Sequence, residues 1–331
     1  MAGAQISDSA DDIWARADMV IKVKEPIKAE WPKIQNGQVL FTYFHLASSL
    51  ELTEALRASG DVAIAIAYET LELPDGELPL LTSMSEVAGR MAVQEGAKYL
   101  ERHSGGRGVL LRGVPGVLPG KVVILGGGAV GMNAAMMAAG LGARVAILDL
   151  SLPRLRHLEG IMPANVNLLF STRYAIRKQI REAHLVIGAV LLHGAKAPSL
   201  IVADDLKTMK PGSVIVDVVV DQGGCVDTIR ATTHGDPIYT VHKVIHYGVA
   251  NMPGGVLMTS TLALTNATLP YAVDLADMGW RSACLHDPAL AQGVNIVDGR
   301  ITYPGVAEVF GLDCADVQAF LVSPGPGLGA Q

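Results

Sequence analysis

The sequence predicts an α/β fold made of two doubly wound domains with parallel sheets. Three observations predict it. Short apolar strands alternate with helix-patterned segments over most of the chain. One strand runs into a glycine turn, Gly126-x-Gly128-x-x-Gly131, that opens an apolar helix, a Rossmann-like signature. Half of the 331 residues are apolar and 18% are charged, enough to fill a sizeable core.

The elements follow in order. "MVIKVK" (19–24) alternates, with Met19, Ile21 and Val23 on one side and Val20, Lys22 and Lys24 on the other. "QVLFTYF" (38–44) is an apolar strand that runs into His45. Ser48 and Ser49 offer N-caps for the helix "LELTEALRASG", which closes at Gly60. "VAIAIAY" (62–68) reads as a buried strand. Ser83 and Glu86 then stand at capping-box spacing, opening a helix that carries Val87, Ala88, Met91 and Ala92. Residues 103–120 are loop-like. "KVVIL", "RVAILDL", "HLVIGAVL" (184–191) and "SVIVDVVV" (213–220) are buried strands with helices between them. After about residue 253 the chain reads as mostly helical, and its Gly/Pro-rich tail, "SPGPGLGAQ", as frayed. The expected domains are 1–79, 80–254, and 255–331 returning to the first.

Composition narrows the function classes. Net charge is −6, with no long basic run, so a nucleic-acid partner is not expected. Cys225, Cys284 and Cys314 are few and scattered, which fits a reducing cytoplasm and speaks against zinc; no metal is expected. Residues 122–143 carry no charge and could span a bilayer by length. Their six glycines fit a strand, a tight turn and a helix better, so no membrane role is expected.

The glycine turn is the strongest local motif. Glycines let backbone N–H groups approach a pyrophosphate at the helix N-terminus. Asp149 ends the following strand, where a carboxylate accepts hydrogen bonds from ribose hydroxyls and repels a 2′-phosphate. NAD is therefore the expected cofactor. Asp221 is read as coming directly after the strand 213–220, facing the cofactor, and Asp217 as a structural mid-strand residue. On local residues alone, His45 is either a hydrogen-bonded core histidine or a catalytic one.

Several stretches together carry a resemblance. "KVKEP" (22–26), "FTYFHLA" (41–47), "IAYET" (66–70), "LPLLTSMSEVAGRMA" (78–92), "GGRGVLLRGVPGV" (105–117), "VIGAVLLHGAKAP" (186–198), "MKPGSVIVDVVVDQGG" (209–224) and "VANMPGG" (249–255) are similar to alanine dehydrogenase, collinearly over nearly the whole chain. The resemblance implies reversible NAD-dependent oxidative deamination of L-alanine to pyruvate and ammonia, in a homohexamer. It implies that His45 is the catalytic acid/base, that Lys24 contacts substrate and that Asp221 sits at the nicotinamide. Tyr43 and Glu69 fall at substrate-pocket positions. Ser85, Asp149, Arg154, Ser171, Val190 and Asn251 fall at cofactor positions, beside Gly126, Gly128 and Gly131. An imidazole suits the proton traffic of deamination, and an ammonium can bind a carboxylate or polarise a carbonyl.

The chain also departs from that pattern. Roughly the first fifty residues of the family, with an arginine that grips the substrate carboxylate, find no match here. An incomplete substrate domain and very low alanine turnover are therefore expected. The alternative is an inactive homologue that binds NAD or assembles with full-length subunits. The NAD-binding subunit of transhydrogenase shares the two-domain plan, but "TYFHLA" speaks against it. Leu257 and Met258, and Val219 and Val220, also differ from the residues usual at those places.

Overall fold

The computed structural model describes residues 3–58, 63–190 and 198–322. The helix end expected at Gly60 and the tail expected after residue 322 lie outside them. The twelve strands are β1 (Met19–Ile21), β2 (Gln38–Thr42), β3 (Ala63–Ala67), β4 (Lys121–Leu125), β5 (Arg144–Asp149), β6 (Val166–Phe170), β7 (Leu185–Gly188), β8 (Val214–Asp217), β9 (Ile238–Val241), β10 (Val244–Tyr247), β11 (Val294–Val297) and β12 (Arg300–Ile301) among the described residues. They form two sheets in two compact units, residues 1–82 with 264–331, and residues 83–263. The chain passes between the units within helices Pro79–Tyr99 and Leu257–His286.

The first unit has the strand order β1-β2-β3-β11-β12. β1, β2 and β3 are parallel, as the alternation of strand and helix requires. β11 and β12 are antiparallel, so this sheet is mixed and not wholly parallel as expected. β11 and β12 are joined by a hairpin inside the segment read as helical: Asp298 and Gly299 both take positive φ, the conformation a tight two-residue turn demands. Trp14, Leu40, Phe44, Leu56, Ile296 and Val306 share the core of this unit. β1 stops at Ile21, three residues short of the alternating pattern. Ser49 Oγ accepts the Leu52 N–H at 3.2 Å at the start of helix Leu50–Ala58, the cap expected from the sequence.

The second unit has the order β6-β5-β4-β7-β8-β10-β9. Only β9 among its described strands is antiparallel to its neighbour. The chain leaves β4 on one side to form β5 and β6, then crosses to β7 and β8 on the other. The topological switch point lies between β4 and β7, the place where doubly wound sheets bind ligands beyond their carboxyl ends. Apolar clusters cover both faces: Leu100, Ala134, Ile147 and Tyr247 belong to one, Ile176, Leu206, Met209 and Val226 to the other.

Two local readings need correction. Helix Pro79–Tyr99 begins four residues before Ser83, so Ser83 and Glu86 lie inside it and form no entry cap. Proline loses nothing at a first helical position, where its missing N–H has no partner to find. β8 ends at Asp217, and Asp221 lies four residues on, in the turn Val220–Gln222.

Candidate active site

In the second unit, the residues expected to meet the cofactor gather along one edge of the sheet. Gly126 follows β4, Asp149 ends β5, Ser171 follows β6 and Val190 lies two residues beyond β7. Asp221 follows β8 and Asn251 follows β10. These are the carboxyl ends of six adjacent strands.

The turn after β4 is built for close approach. Gly126 holds φ at +97°, and its N–H donates to Leu148 O at 2.8 Å. Gly128 caps helix Ala129–Gly140 with no side chain in the way. A Cβ on Gly131 would lie 1.9 Å from Gly126 O, so the helix can sit this close only with glycine there. Asp149 Oδ2 accepts the Gly127 N–H at 2.6 Å, and Oδ1 accepts the Ser151 N–H at 2.8 Å. Arg154 Nε donates to Gly127 O at 2.6 Å. The acidic end of β5 is thus tied directly to the glycine turn, and the Ser171 N–H donates to Asp149 O at 2.9 Å beside it. This cradle fits a dinucleotide: open backbone at a helix N-terminus, with a carboxylate at the position for a ribose. Ser85 lies half-buried on helix Pro79–Tyr99, away from these hydrogen bonds.

Asp221 is exposed, and its Oδ2 accepts the Asn251 N–H at 3.2 Å. Asn251 takes φ +52°, a conformation asparagine tolerates better than most residues. The nearby Asp217, read as a structural mid-strand residue, ends β8 instead and anchors this turn. It is fully buried; its Oδ1 accepts the Val219 N–H at 3.1 Å and its Oδ2 the Cys225 N–H at 2.8 Å. The two bonds pin both ends of the segment that carries Asp221.

Burial pushes the Asp217 carboxyl up to about 6. The folded state therefore holds its proton more tightly than the unfolded chain does. Its contribution to stability is full below about pH 4 and is lost as pH rises through about 6. Urea unfolding of the parent and Asp217→Asn should give a stability difference that falls by roughly 3 kcal/mol between those limits and is flat above them. A difference independent of pH contradicts this.

In the first unit, His45 follows β2 and sits at φ +51°, ψ +41°. Glu69, next to β3 and 24 residues away, explains how that conformation is held. Its Oε1 accepts the His45 N–H at 2.6 Å, and its two oxygens each accept the Phe44 N–H at 3.2 Å. Charge-assisted bonds of this kind are the strong ones. Tyr43, expected at the substrate pocket, is buried; its hydroxyl donates to Leu80 O at 2.6 Å and its ring lies parallel to that of His45, 5.9 Å away. Lys22 forms an ion pair with Glu30, whereas Lys24 is half-buried with no salt bridge among the described residues. Of these two lysines, only Lys22 has a salt bridge among the described residues.

A doubly wound sheet with a glycine turn at its switch point and a carboxylate ending the next strand defines a dinucleotide-binding protein. Family models described as "Alanine dehydrogenase/PNT, N-terminal domain" and "Alanine dehydrogenase/PNT, C-terminal domain" match residues 1–88 and 92–304, and the chain belongs to this alanine dehydrogenase/PNT family. It is 52% identical to alanine dehydrogenase of Halomonas elongata and 49% identical to that of Mycolicibacterium smegmatis. Each alignment covers 97% of this chain and 86% of the relative. Among solved structures, an L-alanine dehydrogenase shares 55% identity with a TM-score of 0.86 over 93% of this chain and 84% of its own. A transhydrogenase structure from Sinorhizobium meliloti, at 21% identity and TM-score 0.72, shares the fold. It covers 89% of this chain and 82% of its own. These alignments span most of each relative and do not support the expected reduced chain with an incomplete first domain and impaired turnover.

Proposed function

We propose that the chain is an NAD-dependent oxidoreductase that interconverts L-alanine with pyruvate and ammonia. One observation carries the reading to a mechanism. His45, a strand-end imidazole, is held in a left-handed conformation by Glu69 in a chain about half identical to alanine dehydrogenases.

Bound NAD supplies the hydride acceptor. The chain supplies the rest. Gly126, Gly128 and Gly131 admit the pyrophosphate to backbone N–H groups. Asp149 receives the ribose and disfavours NADP, with Arg154 holding the turn it binds. Ser85, Ser171, Val190 and Asn251 complete the cofactor side, and Asp221 meets the nicotinamide end. Lys24 binds the substrate carboxylate or polarises the pyruvate carbonyl, with Tyr43 and Glu69 at the substrate side. His45 takes a proton from the attacking water after the iminium has formed, and returns one to the departing amine. The same resemblance supports a homohexamer working in the cytoplasm.

The test is alanine-dependent NADH formation by the purified chain, followed at 340 nm, with NADP and other small amino acids in parallel. Absence of alanine-dependent turnover while NADH still binds returns the chain to a non-enzymic role.

Glu69 gives a finer prediction. An amide keeps one neutral acceptor oxygen where the carboxylate has two charged ones, and its NH2 cannot accept from the Phe44 N–H. Glu69→Gln should lower kcat about tenfold or more, with KM for alanine changed less and NADH affinity unchanged. An equal rise in KM with kcat intact would make Glu69 a substrate ligand and not the holder of His45.

A further inference from the structure

We propose that the amino-terminal ends of the second unit's strands form a second anion site, for a phosphoryl group, built by Lys121, Arg144, His184 and Lys210 with Arg107 beside them. Topology brings these residues together. Lys121 opens β4 and Arg144 opens β5, and the two are register partners. His184 immediately precedes β7, its N–H donating to Lys121 O at 2.9 Å. Lys210 lies just ahead of β8, where the Val214 N–H donates to His184 O at 2.9 Å. The four come from four adjacent strands, at the edge opposite the dinucleotide residues. Arg107 is fixed against them, its guanidinium donating to Pro211 O at 2.8 Å.

Hydrogen bonding makes the cluster a set of converging donors. His184 Nδ1 accepts the Lys121 N–H at 2.9 Å, which assigns the proton of the neutral ring to Nε2. That Nε2 stands 3.4 Å from Lys210 Nζ, which is also a donor. Lys210 meets Glu182 O at 2.9 Å, and Lys121 Nζ meets the exposed Glu182 carboxylate at 2.9 Å. The ring N–H and the ammonium are therefore neighbouring donors. One oxyanion satisfies both. Lys210, Arg107, Arg144 and Lys121 all act on the His184 ring, and burial, then Arg107, push the Lys210 ammonium itself down, in a chain whose net charge is −6. That local positive charge suits a dianion, whose several oxygens can each take a donor. Burial, then Lys210, Arg107, Arg144 and Lys121, push the His184 imidazole down to about 4.

The test uses the full chain with NADH saturating, so that the dinucleotide site is closed to phosphate. Inorganic phosphate is titrated calorimetrically at fixed ionic strength against sodium chloride, with glycerol phosphate as a second arm. Saturable phosphate binding is expected, weakened about tenfold or more in both Lys210→Gln and Arg144→Gln, with NADH affinity unchanged. Tighter binding of glycerol phosphate assigns the site to a phosphomonoester, and equal or weaker binding to free phosphate. Phosphate should also raise the His184 titration midpoint in proton NMR, a change that simple loss of fold in a variant does not mimic. Non-saturable binding, an equal effect of chloride, or full affinity in both variants overturns the proposal. Its failure leaves the alanine reaction untouched, because no residue of that reaction takes part.

Discussion

Replacing His45 by asparagine should lower alanine turnover by a factor of about 10² to 10⁴ and leave NADH binding in place. The choice of asparagine matters. His45 sits at φ +51°, where alanine would add backbone strain of its own. Asparagine tolerates that region, keeps a polar side chain and lacks an imidazole's titration. The backbone bonds to Glu69 need only the residue's N–H, so they survive the change. Loss of turnover with an unchanged Tm then reports chemistry and not folding. Steady-state kinetics with NADH fluorescence titration provides the check. Turnover within a few-fold of the parent would return His45 to the role of a hydrogen-bonded core residue.

Gly131→Ala should abolish useful NADH binding and destabilise the second unit by on the order of 3 kcal/mol. The added Cβ would lie 1.9 Å from Gly126 O, 2.9 Å from Gly126 C and 3.3 Å from Ile124 Cγ2. None of these can yield cheaply. Gly126 is held by its bond to Leu148 O and by a left-handed φ, and Ile124 is buried in β4. Relief therefore comes from lifting the turn off the helix, which widens the pyrophosphate cradle. About 3 kcal/mol spent on that movement corresponds to a rise of about 100-fold in the NADH dissociation constant. Gly140→Ala is the matched control. It ends the same helix, and a Cβ there meets nothing within 4 Å. It should bind NADH normally and be as stable as the parent or slightly more so. Equal behaviour of the two variants in urea unfolding and NADH titration would contradict the cradle.

What could be read from the sequence was the short-range chemistry. The glycine turn and Asp149 lie within one strand–helix–strand unit, so spacing alone places them. The Asp298-Gly299 hairpin was equally legible, since Asp-Gly is a strong turn signal, but the surrounding helical pattern masked it. The β9–β10 hairpin was not legible. Its turn uses His242 and Lys243 at positive φ, without the glycine or Asn-Gly pair that marks such a turn in sequence. The role of Glu69 was hidden for another reason. A carboxylate that accepts backbone N–H groups 24 residues away leaves no local pattern. Asp217 reads as structural from its place in an apolar strand, but its partners at Val219 and Cys225 belong to a turn that no sequence pattern marks. Capping-box spacing at Ser83 and Glu86 misled because Pro79 had already begun the helix.

The cysteines divide between the two units in a way that has a practical use. Cys225 lies in the second unit and is fully buried, with burial and the Asp217 charge pushing its thiol far up. Cys284 lies in the first unit, is 2% exposed, and is pushed up to about 12, first by burial. Thiolates, not thiols, react with alkylating agents. Cys314 is exposed and should label first. The two buried thiols then label only when their own unit opens, so the chain carries a separate internal clock for the breathing of each half.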